Sequence, residues 1–554
     1  PTQSAQTALA GLAGASLGAN GGTGSTSSLY LRGAASENVL VLLDGIPLNS
    51  SLMGLYDLTK ISGNAGRIEV VRGVESSLYG ANAVGGVVNI TTPEPDSGRP
   101  HSRVTYQKGD YGGQQLMAQF SRSLAPKASM WLGVDWTADG GQRRNSAYDG
   151  TNYSVGANIG PYRGVSAKGF LQIYKAKVGV PGSLSYPDTV STQWDDQQDM
   201  QLRLGHRCTV GGQEHNGYLA IARSDIETKY YDGYTTTKNK SRQSTVNGQY
   251  TLALLPGWSL TAGGDYLLSE CRSDNSGDHD LRQKSLFCNN LYSGFDGLLL
   301  TAGVRWDKNL YYKYQVSPSL AASYRINKPL TAYASYGQAY RAPTVNELFW
   351  KDDVWMMYGD PGLRPEHSWQ AETGLKAYLD WLTATGCYFH RTTRDLITWA
   401  TLPDWSLHTE NVYGALTDGV EATLSVRPLS WLRADINYTW CRTERDDSTH
   451  AVLPYHPQNT ANANLVVDDL RLADKLWWGW KFTARYTDCQ NPGPYYDAVL
   501  PATVICDHTV SLRIWNARLY WRLDNLFNAE YQTRYGYPMP RRNYAVGVSM
   551  EMWE

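Results

Sequence analysis

The sequence predicts an all-β transmembrane barrel of antiparallel strands, preceded by a small N-terminal α/β domain. Three observations support this prediction. Beyond residue 100, polar and apolar residues alternate along many segments, as they do in strands with one polar and one apolar face. Tight turns alternate with long polar connections, which is typical of the two ends of a membrane barrel. Residues 1–98 contain neither Trp nor Phe, whereas all 19 Trp lie beyond residue 100, so the chain has two chemically different parts.

The N-terminal part, residues 1–98, has the composition of a small α/β domain. A strand-like run at residues 67–72 is followed by a glycine-punctuated turn and by a second β-branched run at residues 87–90. Glycines in such a turn mark positions that need a positive φ or a close approach to another element. Residues 93–100 have the proline-rich composition of a linker, and we therefore assign residues 99–554 to the barrel.

Hydropathy alone does not identify the barrel. The mean hydropathy is −0.43, and no apolar run approaches the roughly 20 residues that a membrane helix requires. Strands that alternate lipid-facing apolar with lumen-facing polar residues also average to a polar value, so the periodicity has to decide. From Leu432 to Trp440 every even-numbered residue is apolar and every odd-numbered residue is polar, and residues 478–486 alternate in the same way.

Both ends of the chain resemble the family of TonB-dependent outer-membrane receptors. The segment VLLDGIPLN at residues 41–49 and the segment RIEVVRGVESSLYGANAVGGVVNITT at residues 67–92 are similar to the plug domain of that family. The alternating residues 542–553, which end in an aromatic residue, resemble its closing strand. The resemblance implies about 22 antiparallel strands in the bacterial outer membrane, with the N-terminal α/β plug domain inside the lumen.

The resemblance also implies active import of a scarce metal chelate. In this family the ligand binds from outside, and TonB, with the inner-membrane proton-motive-force complex, pulls the N-terminus of the plug. No TonB box is recognisable here, and we expect it upstream of Pro1. We expect a monomer without an intrinsic cofactor, in contact with outer-membrane lipid and lipopolysaccharide, that phages or bacteriocins can use as a receptor. The net charge of −2 gives no reason to expect a nucleic-acid partner.

Four charged residues are candidates for coupling the plug to the barrel. Alternation turns Glu372 and Glu421 toward the lumen, because their neighbours in the strand form the apolar face. A carboxylate in a plugged lumen is poorly solvated unless it is paired. Receptors of this family commonly hold two plug arginines against two barrel glutamates, which implies Arg32 and Arg72 as partners. We hypothesise that this cluster locks the plug at rest; the alternative is that both glutamates face pore water without touching either arginine.

The sequence does not define the transported ligand. Tyr340–Pro343 and Asp360–Leu363 resemble two boxes of the family between which haem receptors carry a His, whereas residues 344–359 contain none. A ferric siderophore and cobalamin are therefore the unranked leading candidates, and haem with Tyr358 as axial ligand is the alternative. Aromatic rings, cations and methionine sulfur suit a flat metal chelate, although ordinary loop packing explains them as well. The candidate ligand-binding residues are Trp350, Lys351, Trp355, Met356, Met357 and Tyr358.

The seven cysteines include two pairs with the same spacing. Cys271 and Cys288 are seventeen residues apart, as are Cys489 and Cys506, and each pair flanks a polar segment. A disulfide at the base of each loop would suit an oxidising compartment and would stabilise the fold by about 3 kcal/mol. Free thiols that pack as small apolar side chains are the alternative. The sequence makes no prediction for the remaining three, Cys208, Cys387 and Cys441.

Two other functional classes fit the sequence less well. A passive porin-like channel is disfavoured by a folded domain in the lumen, because a plugged pore does not conduct. An enzyme is disfavoured because the sequence contains neither a nucleophile elbow nor a cluster with metal-ligand spacing. We therefore predict a transporter without enzymatic activity.

Overall fold

The structure is a computed structural model of the 554-residue chain. It describes residues 5–73, 76–94, 100–493 and 498–553. Most of the predicted linker lies outside these ranges, so the domain boundary between residues 98 and 99 stays a prediction.

The described N-terminal residues form short helices and six strands, and the strands belong to two small sheets. In chain order the elements are α1 (Ala5–Ala10), β1 (Ala15–Ala19), β2 (Ser27–Leu31), β3 (Val39–Leu43), β4 (Ile46–Pro47), β5 (Arg67–Arg72), α2 (Ser76–Tyr79) and β6 (Gly86–Thr91). Strands β1 and β2 form an antiparallel pair. The second sheet has the order β4-β3-β6-β5, and within it β3 and β6 run parallel. Among the described residues, no helix is long and apolar enough to cross a membrane.

The core of this domain is built around β3, whose five residues are all buried. On one face Val41 belongs to the same cluster as Val88, and on the other face Leu42 belongs to a cluster with Val87. A continuous apolar run is what a strand covered on both faces requires. Trp131, from the part of the chain beyond the linker, is part of the first cluster, so the core continues into the surrounding wall.

The rest of the chain forms a closed barrel of 22 antiparallel strands, which confirms the predicted fold class. The elements are β7 (His101–Gly109), β8 (Gln114–Ala125), β9 (Ala128–Asp139), β10 (Tyr148–Tyr162), β11 (Val165–Gly179), β12 (Thr192–Val210), β13 (Gln213–Tyr231), β14 (Thr236–Leu255), β15 (Trp258–Ser273), β16 (Gly277–Tyr292), β17 (Leu298–Asn309), β18 (Tyr314–Arg325), β19 (Leu330–Arg341), α3 (Val345–Phe349), β20 (Lys351–Asp352), β21 (Met357–Tyr358), β22 (Glu366–Leu379), β23 (Leu382–Arg394), β24 (Ile397–Thr401), β25 (Leu407–Asn411), β26 (Gly414–Leu429), β27 (Leu432–Asp446), β28 (Asn459–Ala473), β29 (Leu476–Thr487), β30 (Thr503–Ile514), β31 (Ala517–Asp524), β32 (Gln532–Arg534), β33 (Tyr537–Pro538) and β34 (Asn543–Trp553). Strands β20, β21, β24, β25, β32 and β33 lie in connections and do not belong to the barrel. The barrel closes where β34 pairs with β7.

The two ends of the barrel differ in the length of their connections. At one end, which we call the short-turn end, two to five residues join consecutive strands. At the other, the long-loop end, the longest connections are residues 342–365 and 395–413. A small four-stranded sheet of order β20-β21-β25-β24, which we call the loop sheet, joins these two loops. This asymmetry is the one that the sequence predicts for a transmembrane barrel.

Alternation along the strands separates an outer apolar face from an inner polar face. On β26 Val420 and Leu424 are 42% and 37% exposed on the outer face, whereas Glu421 between them is 3% exposed. Strand β27 repeats this pattern, with Ile436 exposed and Thr439 buried. The inner face is buried because the N-terminal domain fills the lumen.

The predicted disulfides are wrong, because all seven cysteines are free thiols. In the hairpin of β15 and β16, Cys271 lies opposite His279, nine residues before Cys288. Nine residues of strand span roughly 30 Å, whereas the two Cα atoms of a disulfide lie within about 7 Å. Cys506 lies opposite Ala484, five residues of chain, or roughly 17 Å, from Cys489. Both cysteine pairs have the same spacing in the sequence. In neither pair, however, do the two cysteines lie at equal distances from the turn that joins their strands.

Candidate functional site

The four charged residues singled out from the sequence meet at the interface between the plug domain and the barrel wall. The Arg32 guanidinium donates from Nε to Glu421 Oε1 and from Nη2 to Glu421 Oε2, both at 2.8 Å. Its Nη1 donates to Glu372 Oε2 at 2.5 Å. Arg72 donates from Nη1 to Glu421 Oε2 at 3.1 Å. We call Arg32, Arg72, Glu372 and Glu421 the charge cluster.

The charge cluster is asymmetric, with Arg32 at its centre. Arg32 contacts both carboxylates and is 2% exposed, whereas Arg72 pairs with one carboxylate, that of Glu421, and its side chain is 33% exposed. The Arg32 guanidinium carbon also lies 4.5 Å from the centroid of the Phe389 ring. The second oxygen of Glu372 accepts a hydrogen bond from the Tyr333 hydroxyl at 2.8 Å. The main restraint on the plug at this point is therefore Arg32.

The backbone around Arg32 is shaped to aim its side chain at the wall. Arg32 follows β2 and has a φ of 49°, in the left-handed region, and its amide donates to the Gly14 carbonyl at 2.7 Å. Gly14 itself has a φ of 73°, and a Cβ there would lie 2.1 Å from Glu421 Oε1. Only glycine allows this close approach of the plug backbone to the carboxylate.

The protonation state of the cluster follows from its contacts. Burial alone would lower the pKa of Arg32, but Glu421 and Glu372 outweigh it and raise that pKa above its ordinary value. Arg32 therefore carries its charge at every physiological pH. Breaking a buried, hydrogen-bonded ion pair by removing one partner typically costs about 3–5 kcal/mol, so the cluster can hold the plug in place at rest.

A cavity of about 530 Å³ lies between the tip of the β1–β2 hairpin and the inner wall near the long-loop end. We call it the mouth cavity. Loop residues 110–113 and 525–542 contribute to its border. Its lining combines tyrosine rings with cations and carboxylates, among them Tyr148, Tyr174, Lys481, Arg485 and Asp135. Such a lining can stack on a flat ring system and can pair with both signs of charge.

A second cavity, of about 820 Å³, lies between the plug and the wall formed by strands β11 to β17. We call it the wall cavity. Its lining includes Asn309 and Pro343 near the long-loop end, and Arg67 and Lys168 toward the short-turn end. The wall cavity therefore extends along the plug in the direction of the barrel axis.

Two family profiles match the sequence. The profile described as TonB-dependent Receptor Plug Domain matches residues 1–87, and the profile described as TonB dependent receptor-like, beta-barrel matches residues 55–534. The chain belongs to the TonB-dependent receptor family. This confirms the family resemblance, and the fold is that of an outer-membrane-type receptor.

The receptor is similar over most of its length to vitamin B12 transporters. The vitamin B12 transporter BtuB of Photobacterium profundum is 25% identical over 539 residues, which cover 94% of this chain and 85% of that protein. BtuB of Vibrio vulnificus is 24% identical over 532 residues, covering 92% and 82%. The crystal structure of the siderophore receptor PirA from Acinetobacter baumannii superposes with a TM-score of 0.82 at 17% identity, covering 100% of this chain and 96% of that one. The last likeness shows the shared fold.

The six candidate ligand-binding residues of the receptor lie on the loop sheet above the barrel mouth. None of them lines the mouth cavity or the wall cavity. Trp355 is 73% exposed at the tip of the β20–β21 hairpin, and Lys351 pairs with Asp353 at 3.5 Å. The Tyr358 ring centroid lies 5.2 Å from that of His408. Trp350, Met356 and Met357 belong to the same segment.

Sequence reasoning missed a second ionic contact between plug and wall. Lys60 of the plug pairs with Asp195 of β12 at 3.3 Å, and both side chains are buried. Asp195 also accepts a hydrogen bond from the Thr228 hydroxyl at 2.8 Å. The alternation along β12 could have revealed this site, since Asp195, Gln197 and Asp199 all occupy inward positions.

A third contact involves Arg341, which belongs to the segment Tyr340–Pro343. Arg341 donates to Glu366 at 2.7 Å and to Glu347 at 3.0 Å, and Glu366 accepts from Asn38 of the plug at 3.3 Å. This network joins α3 and β22 to the plug. Within the described ranges, no group of three or more His, Cys, Asp or Glu side chains is placed to hold a metal ion.

Proposed function

We propose that the receptor imports a metal chelate across the bacterial outer membrane, with cobalamin and a ferric siderophore as the candidate substrates. The single observation that carries this proposal is a folded plug held in a closed 22-strand lumen by a buried charge cluster. A closed lumen needs an energy input to open. The proposed source is TonB with the inner-membrane proton-motive-force complex, which pulls the plug from the short-turn side.

Cobalamin is the first substrate to test. The curated relatives that match more than nine tenths of the chain are named as vitamin B12 transporters, whereas the likeness to siderophore receptors is one of fold. The mouth cavity lies near the long-loop end and offers tyrosine rings and both signs of charge to a large polar chelate. The six residues of the loop sheet are proposed to close over a ligand that is seated there.

Release of the plug follows from the geometry of the charge cluster. A force on the plug N-terminus acts close to Gly14, whose carbonyl accepts the Arg32 amide. We propose that moving this segment withdraws Arg32 from Glu421 and Glu372, and that the wall cavity supplies preformed space for the ligand to pass. The proposed surroundings are a monomer among outer-membrane lipid and lipopolysaccharide, with bacteriocins or phages as further users of the exposed loops.

The test is equilibrium binding of three coloured chelates, cyanocobalamin, a ferric catecholate and haemin, to the purified chain in detergent. We expect saturable, sub-micromolar binding of one of the first two with a shift of its absorbance bands. Uptake into cells should then stop when a protonophore collapses the proton-motive force. Haemin as the only ligand would favour the haem alternative. Binding of none of the three together with steady conductance in planar bilayers would favour a passive channel and refute the proposal.

A further inference from the structure

One buried arginine of the barrel wall lies beside the plug without a carboxylate partner. Arg391 of β23 is 3% exposed, and its Nη2 donates to the Arg32 carbonyl of the plug at 3.0 Å and to Thr417 Oγ1 at 3.3 Å. Among the described residues, its Nε and Nη1 have no hydrogen-bond partner, and no carboxylate forms an ion pair with it. Arginine is almost never buried to this extent unless it is paired, so Arg391 needs an explanation.

Other equally buried arginines of the inner wall are neutralised by the chain itself. The side chains of Arg305 and Arg341 are each 3% exposed, and each pairs with two carboxylates at 2.7–3.0 Å. An unpaired buried cation costs stability. The resting receptor therefore bears a cost at Arg391 that it avoids at the other two positions.

The register of β22 and β23 places a carboxylate within reach of Arg391. Arg391 lies directly opposite Gln370, and Glu372 follows two residues farther along β22 on the same inner face. Diagonal neighbours of this kind lie about 7–8 Å apart, within reach of a long side chain. In the resting structure Glu372 already accepts hydrogen bonds from Arg32 Nη1 and from the Tyr333 hydroxyl. Arg391 is thus the diagonal neighbour of a carboxylate whose present cation belongs to the plug.

Arg32 connects Arg391 to the charge cluster. Its carbonyl accepts from Arg391 while its guanidinium binds Glu372, so withdrawal of Arg32 frees both wall residues at once. We propose that Arg391 then replaces Arg32 on Glu372 and acts as a relay cation. A carboxylate left without a cation would favour the return of Arg32, and the relay removes this penalty. This role rests on the proposed release of the plug and adds the wall residue that stabilises the released state.

Hydrogen–deuterium exchange of the purified receptor without ligand tests the relay in an Arg391→Gln variant. Loss of the relay destabilises the released state, so the amides around Arg32 should exchange about tenfold more slowly, which corresponds to about 1.4 kcal/mol. A merely structural role predicts the opposite sign, because loss of the bond to the Arg32 carbonyl would loosen the plug. Unchanged or faster exchange would therefore overturn the relay.

The role of the charge is tested by Arg391→Lys, which keeps the cation. Exchange around Arg32 should stay within about threefold of the unaltered chain, a difference of less than 1 kcal/mol. Slowing equal to that of Arg391→Gln would assign the effect to the shape of the side chain and would overturn the relay.

A double-variant cycle tests whether Glu372 is the partner. In a Glu372→Gln background Arg391 has no carboxylate to take over, so the further change Arg391→Gln should slow exchange by less than about threefold. Equal, tenfold slowing in both backgrounds would mean that the substitution only relieves an unpaired buried charge. That result would overturn the pairing with Glu372.

The matched control is Arg305→Gln, which removes an equally buried arginine that already has two carboxylate partners. Exchange around Arg32 should be unchanged or faster in this variant, and slowing like that of Arg391→Gln would overturn the assignment to Arg391. Exchange along strands β12 to β14 shows that each variant is folded. Because exchange is measured without chelate or TonB, its outcome is independent of the binding and conductance measurements that test the proposed function.

Discussion

Replacing Glu421 by Gln tests whether the charge cluster holds the plug. Glu421 accepts three of the four charged hydrogen bonds in the cluster, two from Arg32 and one from Arg72. Gln keeps the shape and one acceptor oxygen but removes the negative charge, leaving Arg32 with Glu372 as its single carboxylate partner. Glu372 accepts only one bond from Arg32 and one from the Tyr333 hydroxyl, and Gln keeps an acceptor for one of them, so Glu372→Gln should perturb the cluster less.

The expected magnitude follows from burial. Glu421 and Arg32 are 3% and 2% exposed, so solvent does not compensate for a lost partner. Removing one member of such a pair costs about 3–5 kcal/mol, and the remaining contact with Glu372 places the Glu421→Gln effect near 3 kcal/mol. For Glu372→Gln we expect about 2 kcal/mol, typical of hydrogen bonds to charged groups.

Hydrogen–deuterium exchange of the plug measures this loss of stabilising free energy locally. The amides around Arg32 exchange when this part of the plug opens, so a loss of about 3 kcal/mol should accelerate their exchange about 150-fold. Glu270→Gln is the control, because Glu270 lies on the outer face in a half-exposed pair with Arg242 at 3.6 Å, which contributes little. Unchanged exchange in Glu421→Gln, or a larger effect of Glu372→Gln, would refute the reasoning.

Three further predictions follow from single contacts. Gly14→Ala should accelerate the same exchange at least as much as Glu421→Gln, because its Cβ would displace the carboxylate; normal exchange would show that the plug tolerates a shift. His456 contacts the plug carbonyl of Gly33 at 3.0 Å, and burial lowers its pKa. Protonation therefore favours the undocked loop, so docking should be fully stable above about pH 6.5 and weaken as the pH falls through the lowered pKa. Exchange of loop residues 447–458 should rise on acidification, and His456→Gln should abolish this slope. Finally, a thiol assay of the denatured chain without reductant should count seven free thiols. A count of three free thiols would instead show that both predicted disulfides form.

The sequence by itself determined the architecture and the direction in which barrel residues point. The period of two along a strand fixes the face of every residue, so Glu372 and Glu421 could be turned toward the lumen without coordinates. The same period of two places Asp195 on the inner face of β12, so its sequence position also indicates a side chain that faces the plug. The family profiles confirm the receptor family that the segment at residues 67–92 indicated.

Tertiary structure decided everything that depends on register and on the distance between remote segments. Parity states which face a side chain occupies but not its height along the barrel. It could therefore not show that Cys271 and Cys288 lie nine residues out of register, nor that Asp195 meets Lys60 of the plug. The central role of Arg32, compared with Arg72, depends on the left-handed backbone that follows β2. Local periodicity sets orientation, whereas contact requires the pairing of strands and loops that are far apart in the chain, and only the folded barrel specifies that pairing.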